Sequence, residues 1–372
     1  MREALALAQS GVGLTAPNPA VGAVLVKEGR VIGRGTHIYD NKKHAEIVAL
    51  EDAGAEAASG ATLYINLEPC SHCGRTPPCA DAVIAAGIAR VVVAMEDPNP
   101  SVAGQGIVRL RAAGVQVDVG LMEDEAQRLN DSFAKWIRTG LPLVHLKAGI
   151  SLDGKIAPSR DRLTSGEASR WITSEAARQH AQTLRHASDA ILVGIGTVLT
   201  DDPMLTDRTG LPRRRPLLRV VLDRELRIPS QSKLVASAQH DLVVFTSETS
   251  ARSAKADELR ARSVQIEAVP SGLRAMWPHL LAKLSELTIT SLLIEGGASI
   301  YASAMEAEAV DKLSLYINPR ILGSNALSAF SGEHIPPAAL TRFRAQRVSF
   351  DTTEGDLLVT GYIRDPYAYR GE

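Results

Sequence analysis

A histidine, a glutamate and two cysteines in the first third of the chain have the types and the order of a catalytic zinc site. His44 lies two residues before Glu46, and Cys70 and Cys79 follow. One imidazole and two thiolates would leave the fourth tetrahedral position of a zinc ion open to water, as in catalytic rather than structural sites. The metal lowers the pKa of that water, and a carboxylate that does not bind the metal can carry its proton to a leaving amine. The pattern therefore predicts hydrolytic deamination, with Glu46 as the proton carrier.

The chain contains three cysteines, and local structure decides which two we expect to bind the metal. The generic deaminase signature, Pro-Cys-x-x-Cys, selects Cys70 and Cys73. A helix-like run, however, begins at Cys79 directly after Pro77-Pro78, and a thiolate in the first turn of a helix is favoured by the positive helix end. Cys73 lies instead in a turn-rich stretch. We therefore predict that His44, Cys70 and Cys79 bind one zinc ion.

The predicted secondary structure places these residues where strands end and helices begin. A β-rich run over residues 62–67 leads into the cysteine segment, and the pattern over residues 44–53 is helical. Binding sites in open α/β sheets form at such junctions. A single closing helix is expected over residues 123–138, and the Gly-Leu-Pro sequence after it predicts the end of a domain. We expect a deaminase domain over residues 1–141 and a second domain over residues 142–372.

Segments in both halves of the chain are similar to one protein family and occur in that family's order. They are Pro17–Gly22, Asn66–His72, Gly74–Cys79, Asp97–Pro100, Ser151–Lys155, Trp171–Thr173 and Gly196–Pro203. On these segments the chain resembles the bifunctional riboflavin-biosynthesis proteins, in which a pyrimidine deaminase is fused to a reductase. Cys73 departs from the family pattern, because an imidazole or aromatic residue is more usual there.

The second half alternates strand-like runs with helical patterns, which predicts an α/β fold with a largely parallel sheet. Within it no G-x-G-x-x-G sequence opens a helix after a strand, so the dinucleotide fingerprint of the Rossmann fold is missing. The resemblance implies a cytidine-deaminase-like three-layer domain followed by a dihydrofolate-reductase-like domain.

The best local signal in the second half is Glu295-Gly296-Gly297, directly after an apolar run. Two glycines at a strand-to-helix turn let backbone amides approach a phosphate, and the helix N-terminus favours the anion. An isolated Gly-Gly is more often a plain tight turn. The resemblance assigns a set of residues to NADPH binding: Gly149, Trp171, Thr197, Asp201, Arg224, Gly297, Ala298, Ser299, Ile300, Tyr301, Ala302 and Ser303.

Substrate contacts are expected in both halves. Asn18 offers an acceptor and two donors to a pyrimidine edge, and His37 is either a substrate contact or a hydrogen-bonded loop histidine. An arginine fork suits a phosphate because it can bind two oxygens at once. By resemblance, the residues on the substrate side are Asn18, Lys147, Ser169, Arg185, Leu205, Arg208 and Glu295.

Charge and cysteine usage restrict the partners of the chain. Lys plus Arg number 41 and Asp plus Glu number 42, so no net field would attract a nucleic acid, and no apolar run is long enough to cross a bilayer. The odd number of clustered cysteines favours metal ligation in a reducing cytoplasm over disulfides. We expect small phosphorylated pyrimidines as partners and, by resemblance, a homo-oligomer.

The resemblance implies two successive reactions. The first removes the 2-amino group of 2,5-diamino-6-(ribosylamino)pyrimidinone 5′-phosphate by hydrolysis, and the second reduces the ribosyl group to ribityl with NADPH. Metal-assisted deamination alone follows from the residues, and no proton donor for the reduction can be identified from the sequence. Two alternatives stay open at this point: a nucleic-acid-editing deaminase, and a non-catalytic protein whose zinc has Cys73 as a fourth ligand.

Overall fold

The structure, a computed structural model, describes residues 1–72, 77–159, 161, 171–330, 346–353 and 355–368. These residues divide into two compact units. Unit 1 comprises Met1–Gly140 together with Pro212–Arg215. Unit 2 comprises the described residues of Leu141–Leu211 and Pro216–Arg370.

Unit 1 is built on a sheet of five described strands in the order β2-β1-β3-β4-β5. Strand β1 is antiparallel to β2 and β3, whereas β3, β4 and β5 are parallel. The β1–β2 hairpin turns at Glu28 and Gly29, which have φ values of 51° and 73°, as the tight turns that suit hairpin twist require. The strands are β1 (Gly22–Lys27), β2 (Arg30–Thr36), β3 (Thr62–Ile65), β4 (Arg90–Val93) and β5 (Gln116–Val119).

Helix α2 (Ala45–Ala53) lies unusually close to strand β2 because β2 has glycines on the facing side. A Cβ atom on Gly33 would stand 2.3 Å from the Ala49 carbonyl oxygen, and one on Gly35 would stand 1.9 Å from the Ala45 carbonyl oxygen. The other described helices of unit 1 are α1 (Arg2–Ser10), α3 (Ala55–Ala58), α4 (Cys79–Ala85), α5 (Gln105–Ala112), α6 (Glu123–Leu129) and α7 (Asp131–Thr139).

The single closing helix expected over residues 123–138 is wrong, because Asn130 separates α6 from α7. The Asn130 side chain is buried. Its Oδ1 accepts from the Ala20 backbone N–H at 2.8 Å and its Nδ2 donates to the Ala20 carbonyl at 3.1 Å. These two bonds satisfy the backbone of the segment that leads into β1, and this tertiary contact outweighs the helical pattern.

Unit 2 is built on nine described strands in the order β11-β10-β9-β8-β12-β6-β13-β16-β15. Neighbours from β11 to β13 are parallel, and the last two pairings are antiparallel, so the predicted largely parallel sheet is confirmed. These strands are β6 (Leu143–Ser151), β8 (Ala190–Gly194), β9 (Leu218–Leu222), β10 (Leu242–Ser247), β11 (Val264–Val269), β12 (Ser291–Ile294), β13 (Lys312–Asn318), β15 (Gln346–Thr353) and β16 (Asp356–Tyr362), while β7 (Lys155–Ala157) and β14 (Leu327–Ser328) pair separately.

The core of unit 2 surrounds helix α13 (Leu273–Glu286), whose Trp277, Leu280 and Leu284 pack against apolar side chains of the central strands. Helix α8 (Glu175–Ala187) is capped by Ser174, whose Oγ accepts from the Ala177 N–H at 3.1 Å. The remaining described helices are α9 (Ile195–Asp201), α10 (Lys233–Ala236), α11 (Glu248–Ala251), α12 (Ala254–Arg260) and α14 (Ala298–Glu306). No described helix combines the length and the apolar composition that a membrane-spanning segment needs.

Candidate functional site

The three predicted metal ligands of unit 1 meet at the ends of two helices. His44 is the residue before α2, Cys79 is the first residue of α4, and Cys70 lies in the loop after β3. His44 Nδ1 is 3.1 Å from Cys79 Sγ and 3.6 Å from Cys70 Sγ. Their potential ligand atoms all lie within 4.8 Å of one another. One imidazole nitrogen facing two sulfurs is a donor set that fits zinc and leaves a fourth position for water.

Hydrogen bonds between the three side chains shift their pKa values. The Cys79 thiol hydrogen-bonds to Cys70, which lowers the pKa of Cys70 and raises that of Cys79, because the two sulfurs share one proton. The bond to the Cys70 sulfur likewise raises the pKa of His44. The Cys79 backbone N–H also donates to Cys70 Sγ at 3.3 Å. A thiolate at Cys70 is therefore stabilised by the fold itself.

Glu46 is buried in the first turn of α2, next to the cluster. Burial raises the pKa of this carboxyl group to about 7. A carboxyl group whose pKa lies near the working pH can both accept and return a proton. The structure therefore places a carboxyl group with a pKa suited to proton transfer beside the predicted ligands.

Asn18 and His37 form a hydrogen-bonded pair beside the cluster. His37 Nδ1 is 2.8 Å from the Lys43 carbonyl and its Nε2 is 3.1 Å from Asn18 Nδ2. Because Nδ1–H donates to the carbonyl, Nε2 accepts from the Asn18 amide. Burial lowers the pKa of His37, which keeps the ring neutral. Its ring centroid lies 5.5 Å from that of His44, so His37 is a hydrogen-bonded histidine that orients Asn18 near the cluster.

In unit 2, Arg185, Glu295 and Lys147 come together near the carboxyl ends of the central strands. Arg185 Nε and Nη2 donate to the two Glu295 oxygens at 2.8 and 3.0 Å, and Lys147 Nζ lies 3.8 Å from Oε2. Burial alone would raise the pKa of Glu295, but the positive charges of Lys147, Arg185 and Arg208 hold it below its ordinary value. The structure therefore presents an ionised carboxylate here, and the Arg185 fork that was predicted to meet a phosphate faces this carboxylate.

Of the three further substrate residues predicted in unit 2, the structure describes Arg208 and Leu205. Arg208 is exposed, and its backbone N–H donates to Gln182 Oε1 at 3.2 Å. Leu205 is buried with a φ of 52°. Ser169 lies outside the described residues, as does Cys73.

A cavity of about 820 Å³ lies in unit 2 at the carboxyl ends of β9, β10 and β11. Four predicted cofactor residues line it: Arg224, Ser299, Ile300 and Ser303. The sequence analysis missed Arg227, Ser247 and Thr249, which line the same cavity. No local motif marks these three residues, because parallel pairing brings them together from separate segments.

Other predicted cofactor residues surround the glycine turn that precedes α14. Gly296 and Gly297 have φ values of 122° and 88°, and a Cβ on Gly296 would stand 3.2 Å from Thr197 Oγ1. Ala298 and Ala302 are buried, and Tyr301 donates its hydroxyl to the Lys147 carbonyl at 2.8 Å. The turn at Gly296 and Gly297, the glycine cradle, favours glycine because both φ values are positive. The Tyr301 side chain is buried and hydrogen-bonded, so it contributes to packing.

The remaining predicted cofactor residues are spread over unit 2. A Cβ on Gly149 would lie 3.0 Å from Thr173 Cγ2. Trp171 is exposed, with the Arg178 guanidinium 4.9 Å from its ring centroid. Asp201 is the exposed last residue of α9.

Two family models match the chain, one in each half. The model of the cytidine and deoxycytidylate deaminase zinc-binding region matches residues 1–95, and the model of the RibD C-terminal domain matches residues 142–357. The riboflavin biosynthesis protein RibD of Escherichia coli (strain K12) is 43% identical over 337 residues, 88% of this chain and 88% of that protein. RibD of Aquifex aeolicus is 43% identical over 323 residues, 87% of each. The chain belongs to the RibD family.

Solved RibD structures share the whole architecture. Acinetobacter baumannii RibD is 36% identical with a TM-score of 0.78, and the match covers 97% of both chains. A Thermotoga maritima diaminohydroxyphosphoribosylaminopyrimidine deaminase/5-amino-6-(5-phosphoribosylamino)uracil reductase is 34% identical with a TM-score of 0.78 and the same coverage. As a RibD protein, the chain is a bifunctional enzyme of riboflavin biosynthesis, with a zinc-binding deaminase domain and a reductase domain. The predicted α/β fold class of both domains is confirmed.

Proposed function

We propose that unit 1 removes the 2-amino group of 2,5-diamino-6-(ribosylamino)pyrimidinone 5′-phosphate, and that unit 2 reduces the ribosyl group of the product to ribityl with NADPH. The observation that carries the proposal is the cluster of His44, Cys70 and Cys79 with buried Glu46 beside it. The substrate follows from the name of the Thermotoga maritima relative, which is similar over 97% of both chains. We place the division between the two reactions at the domain boundary expected from the sequence, between residues 141 and 142.

In the deamination, His44, Cys70 and Cys79 would hold zinc, which when bound supplies an activated water. Glu46 would take up a proton from a water at this site and return it to the departing amino group, so that water and the amine would be converted to a carbonyl and ammonia. A pKa of about 7 suits both transfers at neutral pH. Asn18, oriented by neutral His37, would hold the polar edge of the pyrimidine.

In the reduction, NADPH, when bound in unit 2, would supply the hydride for C1′ of the opened ribosyl group. The glycine cradle at Gly296 and the cavity with exposed Arg224 and Arg227 suit an anionic dinucleotide, and these arginines support the choice of NADPH over NADH. Ionised Glu295 would accept hydrogen bonds from sugar hydroxyls. The exposed Arg208 would bind the 5′-phosphate.

The reduced thiols favour a cytoplasmic location, and homo-oligomerisation stays a prediction from family resemblance. The proposed function is tested by incubating the purified, zinc-loaded protein with the diamino substrate, or with single-stranded RNA or DNA. We expect ammonia release from the pyrimidine and not from the nucleic acid. We expect NADPH oxidation only when the pyrimidine is present. Ammonia release from the nucleic acid, but not from the pyrimidine, would support an editing deaminase instead.

A further inference from the structure

Helix α5 packs directly on the backbone of the segment that contains the first cysteine ligand. A Cβ atom on Gly106 would stand 2.0 Å from the Pro69 carbonyl oxygen. The first turn of α5 therefore touches the residue that precedes Cys70, which only a glycine permits. This contact makes α5 a neighbour of the predicted zinc site, although it contributes no ligand.

Glu68 fastens the start of α5 to this segment. Its buried Oε1 accepts from the N–H groups of Gly106 and Ile107 at 2.7 and 3.2 Å. Its Oε2 accepts from those of Asp97 and Gly104 at 3.0 and 2.9 Å. Three of these bonds come from the N-terminus of α5 and the fourth from Asp97, and together such charge-assisted bonds fix a carboxylate firmly. Because Glu68 is two residues before a ligand, they also fix the backbone that leads to that ligand.

Arg109, on the second turn of α5, joins both cysteine segments. Its Nη1 donates to the carbonyl of Ser71, the residue after Cys70, at 3.1 Å. Its Nε and Nη2 reach the two Asp81 oxygens at 2.6 and 2.8 Å, and Asp81 is two residues after Cys79. The Arg109 guanidinium thus connects the residue after Cys70 with the helix that begins at Cys79.

We propose that Glu68 and Arg109 are positioning residues for zinc, which act through α5 by holding the Cys70 and Cys79 segments at ligating distance. This inference rests on the proposed zinc site. Without these bonds, the two segments move more independently and the ligands spend less time in the binding geometry. Groups that orient metal ligands typically contribute about 10- to 100-fold to metal affinity. An exposed ion pair has little effect on stability in itself, so the effect of Arg109 is expected on the metal rather than on folding.

The test measures zinc release from the full-length, zinc-loaded chain to an excess of a chromogenic chelator. The matched control is Arg90→Ala, because Arg90 and Asp118 form a 2.6 Å pair with 42% and 46% exposed side chains, close to the 46% and 41% of Arg109 and Asp81. That pair joins β4 to β5 and touches neither cysteine segment. We expect Arg109→Ala to release zinc about tenfold faster than the parent, Arg109→Lys to fall between them, and Arg90→Ala to match the parent.

Glu68→Gln provides the second variant, because one amide oxygen cannot accept all four bonds. We expect faster zinc release and, after replacement of zinc by cobalt(II), an altered thiolate-to-cobalt absorption band, with a melting temperature in excess zinc near that of Arg90→Ala. If Arg109→Ala and Glu68→Gln release zinc at the parental rate, the inference is overturned and the zinc site stands. If the parent binds no zinc, the proposed site itself fails.

Discussion

Arg185 holds Glu295 by two parallel hydrogen bonds of 2.8 and 3.0 Å, in a site where the two side chains are 13% and 10% exposed. A guanidinium in this geometry neutralises a buried carboxylate and fixes its plane. In the proposed function, Arg185 therefore acts through Glu295, and the exposed Arg208 is the better candidate for the phosphate.

Replacement of Arg185 by Ala should destabilise the protein, because Glu295 would remain buried without the two hydrogen bonds that neutralise it and fix its plane. Breaking a buried pair typically costs about 3 kcal/mol in the free energy of unfolding. The folded-state pKa of Glu295 lies below the ordinary value of 4.5, so the pair's contribution is complete above 4.5 and is lost as the pH falls through the folded-state pKa. Urea unfolding at pH 7 and at acidic pH measures the difference.

The control for this variant is Lys283→Ala, which removes an exposed ion pair with Glu286 on α13. We expect it to leave the free energy of unfolding close to that of the parent, because exposed ion pairs contribute little to stability. An Arg185→Ala variant as stable as this control at pH 7 would contradict the role given to the pair.

Substitution of the cysteines should separate the two ligand assignments. We expect Cys79→Ala to lose bound zinc and deaminase activity, since it removes one of three ligands, whereas Cys73→Ala keeps most of both. Zinc content by atomic absorption, with ammonia release from the same samples, measures the outcome. The reverse pattern would establish the generic Cys-x-x-Cys spacing.

Replacement of Glu46 by Gln should abolish deamination while zinc stays bound, because the amide keeps the shape but cannot take up and return a proton. Burial raises the folded-state pKa of Glu46 to about 7. Ionisation of this group therefore lowers the free energy of unfolding of the metal-free protein as the pH rises from 4.5 towards 7 and above. Metal-free Glu46→Gln should therefore melt at a higher temperature than the metal-free parent at pH 8, and at a similar temperature at pH 4. Loss of zinc from the variant would instead identify Glu46 as a ligand.

Arg208→Ala should affect only the reductase. A lost charge-assisted phosphate contact costs about 2 kcal/mol, so we expect KM for the deaminated substrate to rise roughly 30-fold, while ammonia release from the diamino substrate is unchanged. Steady-state kinetics of each half-reaction measures both effects. An equal loss in both activities would contradict the separation of the two sites.

The cluster of His44, Cys70 and Cys79 could be predicted although His44 and Cys79 are 35 residues apart, because each of these residues lies in a short motif of its own. Pro77-Pro78 sets the start of the helix at Cys79, and the structure begins α4 there. Ser174 was likewise identifiable as an N-cap because its partner is only three residues away.

The positioning residues could not be predicted, because their partners are distant in sequence. Glu68 is 36 residues from Gly104 and Arg109 is 38 residues from Ser71. The end of strand β6 at Ser151 is likewise set by a distant partner, because the strand pairs with β13 up to Asn318. Such contacts depend on the packing of the sheet and leave no periodic pattern in the chain.

The most direct test of two activities in one polypeptide is to quantify ammonia and NADP⁺ from the same reaction with the diamino substrate. We predict one ammonia and one NADP⁺ per substrate consumed, and ammonia alone when NADPH is omitted. Glu46→Gln should give neither product from the diamino substrate but normal NADP⁺ from the deaminated one. NADP⁺ formation by Glu46→Gln from the diamino substrate at the parental rate, without ammonia, would contradict the order of the two steps proposed here.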